Sequence, residues 1–257
     1  MKKLIQTFFL YSLMLMLMSC SFIVREENTD DYKALKQQYH QYLENDFMFL
    51  ENFQAFINDV STETAQSSVK IKIDILNQQN QVMSSRFGSG IIFEESPLTY
   101  HILTTNDLLS ISEPNTMRLQ VTDYMGNLYT GMFIHRDSDL ELGIISIYKN
   151  NNQPLPLITI ATAHPLLNEP ILMISYRQKV INSMTMGFIT SIFEGDPVNQ
   201  MYTSIETDIY GHGGALINNR MELIGIQYMM EGNYTVAINL KGIELYLHKY
   251  RTDILLT

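Results

Sequence analysis

Two periodicities divide the chain. Leu35, Tyr39, Tyr42, Phe49, Phe53, Phe56 and Val60 recur at spacings of three and four, and Asp46 is the polar exception within that register. This is the apolar stripe of an amphipathic helix, and it predicts a helix from near Tyr32 to Val60. The polar stretch Asn28–Asp31 is placed to cap its start. The stripe is expected to cover the domain that follows. A coiled-coil dimer is the competing use, though aromatic residues fit a coiled-coil seam poorly. The polar run "STETAQSS", Ser61 to Ser68, reads as a linker or turn.

At Val69 the period changes to two. Val69, Ile71, Ile73 and Ile75 alternate with Lys70, Lys72 and Asp74, as on a half-buried strand. The runs "RFGSGIIF", "YHILTTN", "MRLQVTD", "LYTGMFI" and "LELGIISIY" follow at short intervals, and "KNNNQPLP" (Lys149 to Pro156) then interrupts them. A second set comprises "LITIAT", "PILMISY", "SMTMGFITSIF", "MYTSIET", "GGALI", "MELIGIQYM" and "NYTVAI". Many short strands in two sets predict an all-β architecture of two antiparallel β-barrels, about residues 69–148 and 155–239. Lys241 to Lys249 reads as a closing helix.

Local motifs add a resemblance. "FGSGIIF" (Phe87–Phe93), "HILTTNDLL" (His101–Leu109), "ELGII" (Glu141–Ile145), "MTMGFIT" (Met184–Thr190), "IETDIYGHGGAL" with "ELIGI", and "VAI" (Val236–Ile238) stand in one order along the chain. In that order they resemble the chymotrypsin-fold serine peptidases, in particular the DegP/HtrA branch, from about Val69 to Asn239. The resemblance implies two six-stranded barrels and a cleft between them. Asp107 then stands where the family has its catalytic histidine, Glu141 where it has aspartate, and His212 where it has the nucleophilic serine. The segment Ile209–His212, between Asp208 and the glycine pair, is also shorter than the family's loop. That loop builds the oxyanion hole and a wall of the specificity pocket.

These departures imply that the peptidase chemistry is gone. Histidine at 212 removes the nucleophile, and Asp107 is too acidic to serve as an efficient base for a serine. Ser204 lies on the preceding predicted strand, out of register to substitute. The expectation is a protease homologue that binds a peptide or protein without cutting it. Two alternatives stay open: an active endopeptidase with an atypical site, and a divalent-metal site formed by convergence of Asp107, Glu141 and His212. His135 and His164 read as surface or loop residues. The residues after Asn239 are too few for a PDZ domain.

Composition changes the picture in one place. The chain has 257 residues, 46% hydrophobic and 17% charged, with a net charge of -10, so a nucleic-acid partner is not expected. No phosphate loop, dinucleotide fingerprint or zinc-type cysteine spacing is present, so no cofactor is expected. The N-terminus carries Lys2 and Lys3, then the apolar run Leu4–Ser19, then the chain's only cysteine, Cys20. That run is shorter than the roughly 20 residues of a spanning helix. "LMSC" (Leu17–Cys20) resembles a bacterial lipobox. The expected organisation is therefore a lipoprotein signal at 1–19, a helical segment with linker at 20–67 and the two-barrel domain at 68–257. The chain would be held at the extracytoplasmic face of a cell membrane through lipid on Cys20. Cys20→Ala should release the mature chain from the membrane or leave the precursor uncleaved. Unchanged fractionation and processing would rule the lipid anchor out.

Overall fold

The structure, a computed structural model, describes residues 50–150, 154–177, 180–195 and 199–255. The leader, Cys20 and the predicted helix before Leu50 lie outside the described residues. Helix α1 spans Leu50–Thr62 and is followed by a 3-10 turn, Thr64–Ser67. The first six strands are β1 (Ser68–Leu76), β2 (Val82–Glu95), β3 (Thr99–Thr105), β4 (Thr116–Thr122), β5 (Leu128–Asp137) and β6 (Leu142–Tyr148), with a helical turn α2 (Asn106–Leu109) after β3. They close into an antiparallel barrel in the order β1-β2-β3-β6-β5-β4. The second barrel uses β7 (Pro170–Arg177), β8 (Val180–Phe193), β9 (Gln200–Glu206), β10 (Ala215–Ile217), β11 (Leu223–Glu231) and β12 (Tyr234–Asn239), ordered β10-β11-β12-β9-β8-β7. Helix α3 (Leu240–Leu255) follows, and both barrels lie in the compact unit Phe53–Thr257.

Alternation explains the barrels, and its local failure explains how they join. Ile71, Ile73, Ile92, Ile102 and Ile145 fill the first barrel, while Met173, Ile189, Met201, Ile205 and Leu216 fill the second. Neighbours of some of these residues are buried as well. Ile91, Leu103 and Ile144 point out of the first barrel into a shared cluster with Leu172, Ile174, Ala215 and Ile226 of the second. A strand buried on both faces reads as a continuous apolar run, as in "GIIF" and "GIIS". Each fully buried Ile or Leu contributes roughly 1.5–3 kcal/mol, so this seam is a second core.

Three local expectations need correcting. "LITIAT" forms no strand of the sheet. It runs beside β11 with one parallel bridge, Ile160–Leu223. Of the two readings of Ser61–Ser68, the turn holds and the linker does not. The run finishes α1, makes the 3-10 turn and begins β1, and Ser67 and Ser68 are both buried. Ser67 Oγ donates to Thr64 O at 2.6 Å. His135 is not a surface residue. It is 22% exposed, with Nδ1 3.1 Å from Tyr246 Oη on α3. His164 is exposed in a loop. Helix α1 stays outside both barrel interiors, and its Val60 joins the seam cluster, as does Ala65 just after it.

On the outer face of the first barrel Asp74 is 1% exposed. It accepts from Ser85 Oγ at 2.6 Å and Arg118 Nη2 at 2.7 Å, and Lys72 Nζ lies 2.9 Å away. The Ser85 hydroxyl, then Arg118 and Lys72, hold its carboxyl far below the usual carboxylate range. A folded pKa below the unfolded value of 3.8 stabilises the fold above that pH, and the stabilisation is lost as pH falls. Asp74→Asn should therefore cost about 2 kcal/mol near neutral pH. The gap to wild type should close steadily below about pH 4. Denaturant titrations across that range test it, and a gap that does not change with pH would refute the assignment.

Candidate functional site

The site forms where two turns meet across the seam. On the first barrel, β3 runs into α2, and buried Leu108 and Leu109 hold that turn down. Asn106 N donates to Glu141 O at 3.1 Å and Asn106 Nδ2 to Glu141 Oε2 at 3.2 Å. Asp107 is left with its side chain 69% exposed at the rim. Arg86 Nη1 reaches over from β2 to the carbonyls of Asp107 (3.1 Å) and Ser110 (2.8 Å).

On the second barrel, Ile209–Gly211 forms a 3-10 turn capped by Asp208. Tyr210 N donates to Asp208 Oδ1 at 3.0 Å, Gly211 N to Asp208 O at 3.0 Å, Gly213 N to Gln227 O at 2.9 Å and Gly214 N to Gly211 O at 2.8 Å. His212 O in turn accepts from Ser89 N, across the seam, at 2.7 Å. Gly213 has φ +82°, and a Cβ there would come within 2.0 Å of Ser89 O, so both backbone conformation and space demand glycine.

The two turns bring His212 Nδ1 to 3.6 Å from Asp107 Oδ2. Burial holds the imidazole below its ordinary pKa, and the Asp107 carboxylate pulls the other way without overcoming it. His212 is therefore mostly neutral at pH 7.

Glu141 does not join them. It turns at φ +55° and its carboxylate serves Asn106. The expected convergence of Asp107, Glu141 and His212 thus reduces to one pair. Among the described residues no group of three or more His, Cys, Asp or Glu side chains is placed to hold a metal ion. Ser204 is on β9, where its Oγ accepts from Phe188 N at 2.9 Å.

Several residues that matter here carried no sequence signal. Gln227 is fully buried beneath the 3-10 turn, and neither side-chain polar atom has a hydrogen-bond partner. A Cβ on Gly211 would lie 2.3 Å from Gln227 Oε1 and 2.4 Å from Thr207 Oγ1, so the space under the turn is filled by protein. A cavity of about 500 Å³, lined in part by Thr62, Gln66, Ile158, Thr159, Arg220 and Glu222, shares no residue with the His212 loop. Asp208 follows polar Glu206 and Thr207, and only its contact with Tyr210 N reveals it as the cap.

Residues 88–226, just over half of the chain, match the family model described as "Trypsin-like peptidase domain". The chain belongs to that family. It is also 26% identical over 163 residues to the serine endoprotease DegS of Haemophilus influenzae, a stretch covering 61% of this chain. The chain spans about 45% of that curated relative's length. The two closed six-stranded barrels agree with the family.

In such a peptidase the backbone N–H groups of the nucleophile and of the residue two before it form the oxyanion hole. In this chain the Tyr210 N–H, two residues before His212, is already committed to Asp208. A neutral imidazole beside a carboxylate can exchange protons, but no hydroxyl or thiol stands in the loop Ile209–Gly214 to attack a carbonyl, apart from the phenol of Tyr210. Because Asp107 raises the His212 pKa, Asp107→Asn should lower it further. An NMR titration of the imidazole tests this, and an unchanged or higher midpoint would mean that the pair does not interact in solution.

Proposed function

We propose that this protein is a non-catalytic serine-protease homologue: an exported, lipid-anchored module that binds an extended peptide or protein segment in the cleft between its barrels. The observation that carries the reading is the capped turn. With His212 read as the residue at the nucleophile position, Tyr210 is the second donor of the oxyanion hole, and its N–H already donates to Asp208 at 3.0 Å, which supports a site without that hole. Gln227 fills the space beneath the same turn. The curated relative is a serine endoprotease; this chain keeps the scaffold and departs at each of the groups that perform the chemistry.

Peptide binding rests on a sheet edge. β10 ends its pairing with β11 at Ala215–Ile226, whereas β11 continues to Glu231, paired there with β12 alone. The outer edge of Tyr228–Glu231 thus has no strand partner among the described residues. An extended segment can add to such an edge through main-chain hydrogen bonds. The leader ending in Cys20 supports placing the module on the extracytoplasmic face of a membrane.

The purified protein should neither cleave casein nor react with a fluorophosphonate probe. His212→Ser alone should not restore activity, because Asp107 still stands in place of the base and Asp208 still holds the Tyr210 N–H. Casein cleavage that disappears in His212→Ala would overturn the reading and establish a rebuilt catalytic site.

A further inference from the structure

We infer that Lys70, with the rings beside it, forms a carboxylate-binding subsite at the rim of this cleft. The inference rests on the peptide-binding reading and names the chemistry the bound segment must carry. Lys70 lies on β1 opposite Ser89 of β2 and Thr122 of β4, both uncharged. Its Nζ sits 4.6 Å from the centre of the Tyr176 ring and 5.1 Å from that of Phe87. Among the described residues the other lysines have carboxylate partners: Lys72 with Asp74, Lys149 with Glu95, Lys241 with Glu194 and Lys249 with Asp137. Lys70 has none. The acidic residue on its own strand, Asp74, is already saturated by Ser85, Lys72 and Arg118.

Its position gives this feature a use. Ser89, opposite Lys70, donates its N–H to His212 O and accepts the Tyr176 N–H on Oγ at 2.7 Å. The Tyr176 ring meets Tyr210 edge-on at 6.4 Å, and Tyr210, two residues before His212, is 41% exposed. Lys70, Tyr176 and Tyr210 therefore form a continuous path from β1 to the site loop. The rings hold the ammonium by cation–π attraction without neutralising it. Its positive charge can still pair with an incoming carboxylate, and the exposed Tyr210 ring gives the segment an apolar surface to lie against. The carboxylate can come from an acidic side chain or from a free C-terminus.

The test uses the purified full-length chain and three fluorescent valine-rich peptides of one length. One is neutral with an amidated end, one is amidated with an internal glutamate, and one is neutral with a free C-terminal carboxylate. Fluorescence anisotropy at low salt should show one or both carboxylate peptides binding about tenfold tighter than the neutral one, as for a hydrogen bond to a charged group. The advantage should shrink as salt rises from about 50 to about 300 mM. Whichever peptide carries it identifies the source of the carboxylate. Lys70→Met keeps the aliphatic stem over Tyr176 and should abolish the advantage with little change in the unfolding midpoint, while Lys70→Arg should retain it. Equal binding of all three peptides by wild type, or an advantage that survives in Lys70→Met, overturns the subsite and leaves the peptide-binding reading standing. Failure of all three peptides to bind overturns both.

Discussion

The backbone hydrogen bond from Ser89 N to His212 O ties the two barrels together at the point where the chemistry of the fold would sit. It fixes the site loop against β2. It also requires Gly213 at φ +82° with no room for a side chain, and it places the imidazole within reach of Asp107 on the other barrel. Around it, Ile91, Leu103 and Ile144 pack on Leu172, Ile174 and Ala215, which excludes water and strengthens the polar contacts at the edge. Rim and seam are thus one construction, and a disturbance of the seam would be felt at the pair.

A second bond holds the turn that precedes His212. Asp208 satisfies the Tyr210 N–H from within the turn. Gln227 and Thr207 then fill the space below. Gln227 is nevertheless buried with both amide atoms unpaired, a cost that tight packing under the turn has to offset. The packing beneath the turn and the commitment of the Tyr210 N–H are thus features of one turn.

Much of the architecture was legible because its cause is local. Alternation from Val69 onward and the runs "GIIF" and "GIIS" record which faces of a strand meet apolar neighbours. "LITIAT" misled because an extended apolar stretch packed against a sheet has the same alternation as a strand within one, and only pairing distinguishes them. Ser61–Ser68 was legible as a turn but not as a buried one, because serine is a polar turn residue in isolation whereas Ser67 and Ser68 are buried here. His135 looked like a surface residue because its partner, Tyr246, is more than a hundred positions away.

The sequence by itself determined the two-barrel topology and the residue types at 107, 141 and 212, since periodicity and side-chain identity are properties of each position and its neighbours. Tertiary structure alone decided which of those residues meet. Asp107 faces His212, while Glu141 turns at a positive φ toward Asn106. It also decided that the Tyr210 N–H is consumed and that Lys70 is left over two rings without a carboxylate. These outcomes depend on distances between strands remote in the chain, and composition and spacing do not encode such distances.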